Sequence, residues 1–302
     1  MWSNGIPKPK WAPVSGPAWD EQALTWGLQA IRASLSGLTG RGVKIAVLDT
    51  GVDTEHPDLA GRIEATACFV AGETVADGNG HGTHCAGTAA GPAQPSRGPR
   101  YGVACDAGIL AAKVLSDAGT GTDGQILAGI AWAVAHGAQV ISMSLGAPVW
   151  PGALFPQTYE QAARCALRHQ AVTVAAAGDD SNRPTYVQPV SRPANCPSVL
   201  GVAALDKTLT ATYFSNGGIN IPGGEVDIAA PGRDVRSAAP DGWYRTLSGT
   251  STATAHVAGV IALLAQAHPD ASAADLKSLL PAGAFPLAQP ARDVGAGLVQ
   301  AP

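Results

Sequence analysis

The stretch "LSGTSTATAHVAG", Leu247 to Gly259, places Thr250, Ser251 and Thr252 where a glycine leads into an apolar, Ala-rich helical run. A serine there has two readings. It caps the helix by accepting from a free backbone N–H, or its hydroxyl is held out for chemistry. A helix N-terminus suits the second use as well, because its free N–H groups and partial positive charge favour a developing oxyanion. A lone serine is a weak nucleophile; it needs a base, and the base needs a carboxylate to orient it. Both occur upstream. "VKIAVLDTGVD" is an apolar run, Val43 to Leu48, that ends at Asp49 before Thr50 and Gly51 turn the chain. An acid at the end of a buried strand is costly unless something pairs with it. "DGNGHGTHCAGTAAG" sets His81 between glycines at the start of another Ala-rich helix. Taken singly, Asp49 reads equally as a turn cap and His81 as a structural loop histidine.

The elements that must bring these three together read as an α/β domain. Strand-like runs cover Val43–Leu48, Gly108–Val114, Gln139–Met143, Ala171–Ala176 and Val199–Ala204. Helical stretches alternate with them. In Asp123–His136, Ile126, Ile130 and Val134 recur on one face, and Gly137 is placed to end the helix as its C′ residue. Strand and helix in alternation predict a doubly wound, mostly parallel sheet with helices on both faces, as a single domain. Strand ends and helix starts are where such sheets gather functional groups. Residues 1–25 are Pro- and Trp-rich and read as an extended N-terminal arm, leaving 26–302 for the catalytic domain. A chain of 302 residues is long enough for one large core. Charged residues are 14% and aromatics 5%, with 37 glycines, as in a domain packed on Ala and Gly. A net charge of −4 excludes a basic nucleic-acid footprint, and no apolar run is long enough to span a bilayer.

The motifs "AVLDTGVDTEHPDL", "GNGHGTHCAGT" and "SGTSTATAHVAG", in that order, closely resemble the three active-site motifs of the subtilisin-like serine proteases (subtilases). The order Asp, His, Ser is that of subtilisin. The resemblance runs from about Trp26 to about Leu280 and is nearest in pattern to the proteinase K-like and secreted bacterial branches. It implies a serine endopeptidase in which Ser251 attacks, His81 is the base and Asp49 orients it, with no cofactor required for the chemistry. The rival for the nucleophile is Cys85, close to His81 in sequence.

The same resemblance places the substrate. "VLSDAGTGTDGQI" looks like the family's edge strand and loop, so that Leu115, Gly119, Thr120 and Gly121 would line the non-primed subsites. Ser144, Leu145 and Gly146 in "ISMSLGAP" would flank the specificity pocket, together with Ala176, Gly178 and, at its base, Ser191. A peptide held between two such strands is β-augmentation. "AAAGDD" stands where the family has Ala-Ala-Gly-Asn, whose Asn donates to the oxyanion; the matching residue here is Asp179. An ionised carboxylate can only accept there, whereas a protonated one could donate. The alternative function is therefore a catalytically impaired pseudoprotease that binds peptides. Thr252 and Ala255 replace the Met and Pro that usually follow the family's serine.

Further expectations rest on the resemblance alone. Cys165 and Cys196 correspond to a disulfide of some secreted bacterial members, which would favour an oxidising compartment. Structural calcium is common in the family, with Asp206 as the matching acid and Asp53 and Asp58 in a second candidate loop. The implied partners are polypeptide substrates and a separate or removed pro-domain, for which the residues ahead of "TWGLQAI" are too few. The expected assembly is a monomer without nucleic acid or membrane. The protein is secreted if trimmed from a longer precursor and cytoplasmic if the sequence is complete.

Overall fold

Buried on both faces, a parallel strand carries no alternation, and five of the apolar runs form such strands. The computed structural model describes residues 17–220 and 223–302. In chain order its elements are α1 (Trp26–Ala30), β1 (Lys44–Asp49), β2 (Ile63–Cys68), α2 (His81–Ala90), β3 (Gly108–Lys113), α3 (Asp123–Ala135), β4 (Val140–Met143) and α4 (Gln157–Arg168). There follow β5 (Val172–Ala176), β6 (Leu200–Leu205), β7 (Ile228–Pro231), β8 (Val235–Ala239), β9 (Trp243–Leu247), α5 (Thr250–Ala267), α6 (Ala273–Ala282) and α7 (Ala291–Val294). Strands β1 to β7 make one parallel sheet in the order β2-β3-β1-β4-β5-β6-β7, and β8 and β9 a separate antiparallel hairpin. The single α/β domain with a mostly parallel sheet is thus the architecture observed.

Strand β1 lies between β3 and β4, so the chain leaves it toward one edge and later crosses to the other. A crevice opens at the carboxyl end of the sheet where the winding reverses. Asp49 is the last residue of β1 and stands at that point. Helices α2 and α5 pack on each other over one face, while α3 and α4 pair on the other. Helix α5 is buried without a break from Thr252 to Leu264, which explains its lack of any polar stripe. Its Gly259 lies against α2 so closely that a Cβ would stand 2.8 Å from the Ala89 carbonyl oxygen. Helix α3 ends as expected, with Gly137 at φ 73°, and begins with a Thr122–Gln125 capping box.

Of the predicted arm, residues 1–16 lie outside the described residues. The rest is tied to the body: Trp19 Nε1 donates to Lys207 O at 2.8 Å, and Glu21 pairs with the Lys207 ammonium. No helix among the described residues is long and apolar enough to cross a membrane.

Asp58, a candidate calcium ligand, is instead a knot between the hairpin and the loop after α2. Its Oδ2 accepts from Tyr101 and Tyr244 hydroxyls, each at 2.7 Å, and Oδ1 accepts from Ser96 N at 2.7 Å. Burial alone would raise its pKa, but these donors outweigh it and hold the carboxyl below its ordinary value. A depressed carboxylate stabilises the fold above its unfolded pKa, and that contribution disappears as pH falls through the folded value. Asp58→Ala is expected to cost about 2–3 kcal/mol at neutral pH by stranding buried donors. The deficit should shrink in acid, as read by urea unfolding at several pH values.

Candidate active site

Helix α5 begins at Thr250 with Gly249 as its N-cap residue and no side-chain cap, so Ser251 is the second helical residue. Its hydroxyl is therefore not consumed in capping. Ser251 Oγ donates to the Ser144 carbonyl oxygen at 3.0 Å, and Ser144 Oγ returns a bond to the Ser251 carbonyl at 2.9 Å. This pair locks the first turn of α5 to the end of β4.

His81 opens α2, next to Gly80, and its ring is about a quarter exposed, at 26%. Its Nδ1 lies 2.7 Å from Asp49 Oδ1. A carboxylate can only accept, so the proton is assigned to Nδ1, and Nε2 is left as the basic nitrogen. Asp49 is 1% exposed, and its Oδ1 also accepts from Thr50 N at 2.7 Å. Burial opposes charge on the imidazole, but the Asp49 carboxylate prevails and lifts the His81 pKa well above the usual histidine value. Cys85 Sγ packs 3.9 Å from His81 Nδ1 in full burial, which raises the thiol pKa. A thiol wholly buried in the core is out of reach of a substrate carbonyl, whereas Ser251 is partly exposed, which disfavours the Cys85 alternative.

Asp179 follows β5 on a turn stitched to the start of α5. Its Oδ1 accepts from Thr250 N at 2.8 Å, and Gly178 N donates to Thr250 Oγ1 at 3.1 Å. A Cβ built on Gly249 would stand 2.9 Å from Asp179 Oδ2 and 3.7 Å from Ser251 N, so both atoms lie beside residue 249. One side of Asp179 is open to solvent, yet the surrounding protein withdraws enough water to raise its pKa. The Thr250 donors offset part of that rise.

A cleft of about 470 Å³ runs from His81 between two segments. Leu115, Gly119, Thr120 and Gly121 line one side and Ser144, Leu145 and Gly146 the other, so seven of the ten positions expected to bind substrate line this cleft. Ala176, Gly178 and Ser191 gather behind Gly146, whose Cβ would stand 3.2 Å from Ser191 Cβ and 3.7 Å from Ala176 O. Gly178 has φ 106°, and a side chain on it would run into Ser191 Oγ and Asn216 Nδ2. The Ser191 hydroxyl is buried and bonded to Asn216 Nδ2 at 3.3 Å. Sequence reasoning missed the far end of the cleft. There Tyr159 OH donates to Asp123 Oδ1 at 3.0 Å and Arg192 Nη1 to Asp123 Oδ2 at 2.7 Å. Ile126 beside them was visible as part of the α3 stripe; nothing in the spacing joins Tyr159 or Arg192 to Asp123.

One expectation is corrected. Cys165 and Cys196 are free thiols. Cys165 Sγ lies 3.7 Å from His169 Nδ1 one turn along α4, while Cys196 Sγ points to Pro156 O at 3.7 Å, so the two sulfurs have separate partners. The case for an oxidising compartment loses its support. A thiol reagent added to the denatured protein without reduction is expected to count five thiols, with a melting temperature indifferent to reductant. Asp206 Oδ1 closes a turn by accepting from Thr208 N at 2.9 Å and Thr208 Oγ1 at 2.6 Å, and it belongs to no cluster of three or more metal-ligating side chains among the described residues. Among the described residues the one cluster of metal-ligating types is Asp49, His81 and Cys85, whose Asp and His are already joined by a hydrogen bond.

Residues 40–297 match the family model described as the subtilase family, Peptidase_S8. M-protease of Shouchella clausii (strain KSM-K16) is 41% identical over 86% of this chain, which spans 64% of that protein's length. Subtilisin Savinase of Lederbergia lenta is 40% identical over 93% of the chain and 98% of its own. Among solved structures, Sphericase superposes with a TM-score of 0.78 at 32% identity, over 94% of this chain and 99% of that one.

Proposed function

Because the chain belongs to the subtilase family, we propose that it is a serine endopeptidase working through an acyl-enzyme, with an acid at the oxyanion site. The observation that carries this reading is the Asp49–His81 hydrogen bond of 2.7 Å at the start of α2, which packs against a helix whose second residue is a serine not used as a cap. The polypeptide lies extended between Leu115–Gly121 and Ser144–Gly146, adding a strand to each. Rotation about χ1 transfers the Ser251 hydroxyl from the Ser144 carbonyl to His81 Nε2. As Oγ attacks the scissile carbonyl carbon, His81 takes its proton and Asp49 holds the tautomer and stabilises the imidazolium. The oxyanion forms at the amino end of α5, facing Ser251 N–H and Asp179. Collapse expels the amine, which receives the proton from His81. Water then repeats the sequence to release the acid.

Asp179 supports a second reading, a peptide-binding protein with impaired turnover. A small fluorophosphonate, which phosphonylates an activated serine, separates the two when combined with a peptide assay. Labelling at Ser251 with hydrolysis supports the protease; peptide binding with neither labelling nor hydrolysis supports the impaired form. Labelling that persists in Ser251→Ala would overturn the assignment of Ser251 as the nucleophile.

A further inference from the structure

Lys113 is the last residue of β3, in register with Asp49 on one side and Cys68 on the other. It is fully buried, at 0% exposure, although nothing in the proposed chemistry uses it. Its ammonium donates to the Thr50 carbonyl oxygen and to Asp117 Oδ1 at 2.6 Å. Ala76 O lies 3.3 Å away and Glu73 Oε2 3.1 Å away. A buried ammonium is tolerated only with such partners. What they belong to is informative. Thr50 follows Asp49 directly, and its hydroxyl accepts from Gly82 N, beside His81, at 2.9 Å. Glu73 and Ala76 belong to the loop that leads to His81. Asp117 lies within the segment that forms one wall of the cleft, and it also accepts from Gly78 N at 3.0 Å and, through its carbonyl, from Asn79 Nδ2 at 3.0 Å.

We propose that Lys113 is a positioning residue that fixes the Leu115–Gly121 wall of the cleft to the loops carrying Asp49 and His81, and so sets the affinity for extended peptides. This rests on the proposed protease reading for its substrate. The bonds Lys113 makes go to Thr50, Glu73, Ala76 and Asp117, and none reaches Ser251 or Asp179. Without the ammonium, the Thr50 carbonyl and the Asp117 and Glu73 carboxylates face one another uncompensated. The wall is the part free to move, because Asp117 is half exposed while Thr50 is buried. A substrate that reaches only the scissile bond does not touch that wall. One filling several non-primed subsites does.

The test compares a substrate of four non-primed residues with a single-residue ester, using Lys113→Met and the milder Asp117→Asn. Lys113→Met is expected to raise KM for the long substrate about 10-fold, with kcat and ester hydrolysis within about 3-fold of the parent. Asp117→Asn, which keeps the lysine and is less prone to misfold, should move the same way by a few-fold. In parallel, calorimetry of a tetrapeptide binding to Ser251→Ala, with and without Lys113→Met, should show the same weakening; this readout needs no turnover. Equal losses on long and short substrates would mean a general structural role and overturn the proposal. So would an unchanged tetrapeptide affinity. Absence of labelling and hydrolysis in the parent would instead overturn the protease reading and leave the calorimetric result to judge Lys113.

Discussion

Ser251→Ala is expected to abolish peptide hydrolysis while leaving the fold and peptide binding intact. The alanine removes one hydroxyl whose protein contact is the Ser144 carbonyl at 3.0 Å, and Ser144 keeps its own bond to the backbone at residue 251. The first turn of α5 therefore stays locked to β4, and the melting temperature should barely move. The chemical loss is large because triad members act as a unit: in subtilisin, removing the serine or the histidine costs about 10⁶-fold in kcat. His81→Ala should match Ser251→Ala to within a small factor. Asp49→Asn should fall short of both, and without the carboxylate the half-buried His81 imidazole would lose its raised pKa. Residual turnover above a small percentage in Ser251→Ala, measured on a purified sample free of parent enzyme, would sink the assignment.

Asp179→Asn is expected to raise turnover and to change the shape of the pH profile. Two requirements conflict in the parent. His81 must be neutral to take the serine proton, and its pKa is raised by Asp49, so this limb climbs toward alkaline pH. Asp179 must be protonated to donate to the oxyanion; its pKa is raised by burial, so this limb falls as pH rises past that value. A carboxyl group kept neutral can serve as an oxyanion donor, as ketosteroid isomerase shows, and a bound peptide would exclude the solvent that now reaches Asp179. Even so, the fraction of molecules with both groups correctly protonated is small, and kcat/KM should follow a narrow bell. Asn donates at every pH. The descending limb should vanish, with a gain of up to about 10²-fold on the alkaline side, the scale of one oxyanion donor. Oδ1 of an Asn can keep the bond from Thr250 N, so the change is nearly isosteric. An Asn variant no faster at any pH would mean that Asp179 does not face the oxyanion.

What could be read from the sequence divides along physical lines. The strands ending at Asp49, Lys113, Met143 and Ala176 were visible because parallel strands buried on both faces are unbroken apolar runs. Strand β2, "IEATAC", was not: it is an edge strand, with Glu64 and Thr66 exposed and the rest half-buried, and its composition resembles a loop. The hairpin β8–β9 escaped because its burial does not alternate: β8 is buried except at Arg236, while β9 is exposed at Trp243 and Thr246 and half-buried between and after them. Asp49, His81 and Ser251 were legible because their motifs are compact. The Asp123–Tyr159–Arg192 group was not, because three separate elements meet there only after folding. The Cys165–Cys196 pairing failed on direction: α4 turns the Cys165 sulfur along its own helix toward His169, and that orientation has no sequence signature.

The winding of the sheet also governs when the protein becomes dangerous. Strand β1 needs β3 and β4, from later in the chain, as its neighbours, and contacts between distant segments form slowly. Ser251 sits on a helix that packs across β4 to β7 and against α2. Ser251 follows His81 by 251 − 81 = 170 positions, which carry strands β3 to β9 and the start of the helix that seats it. A chain that has not yet reached Thr250 thus holds Asp49 and His81 without Ser251, so the proposed nucleophile is the last of the three to arrive.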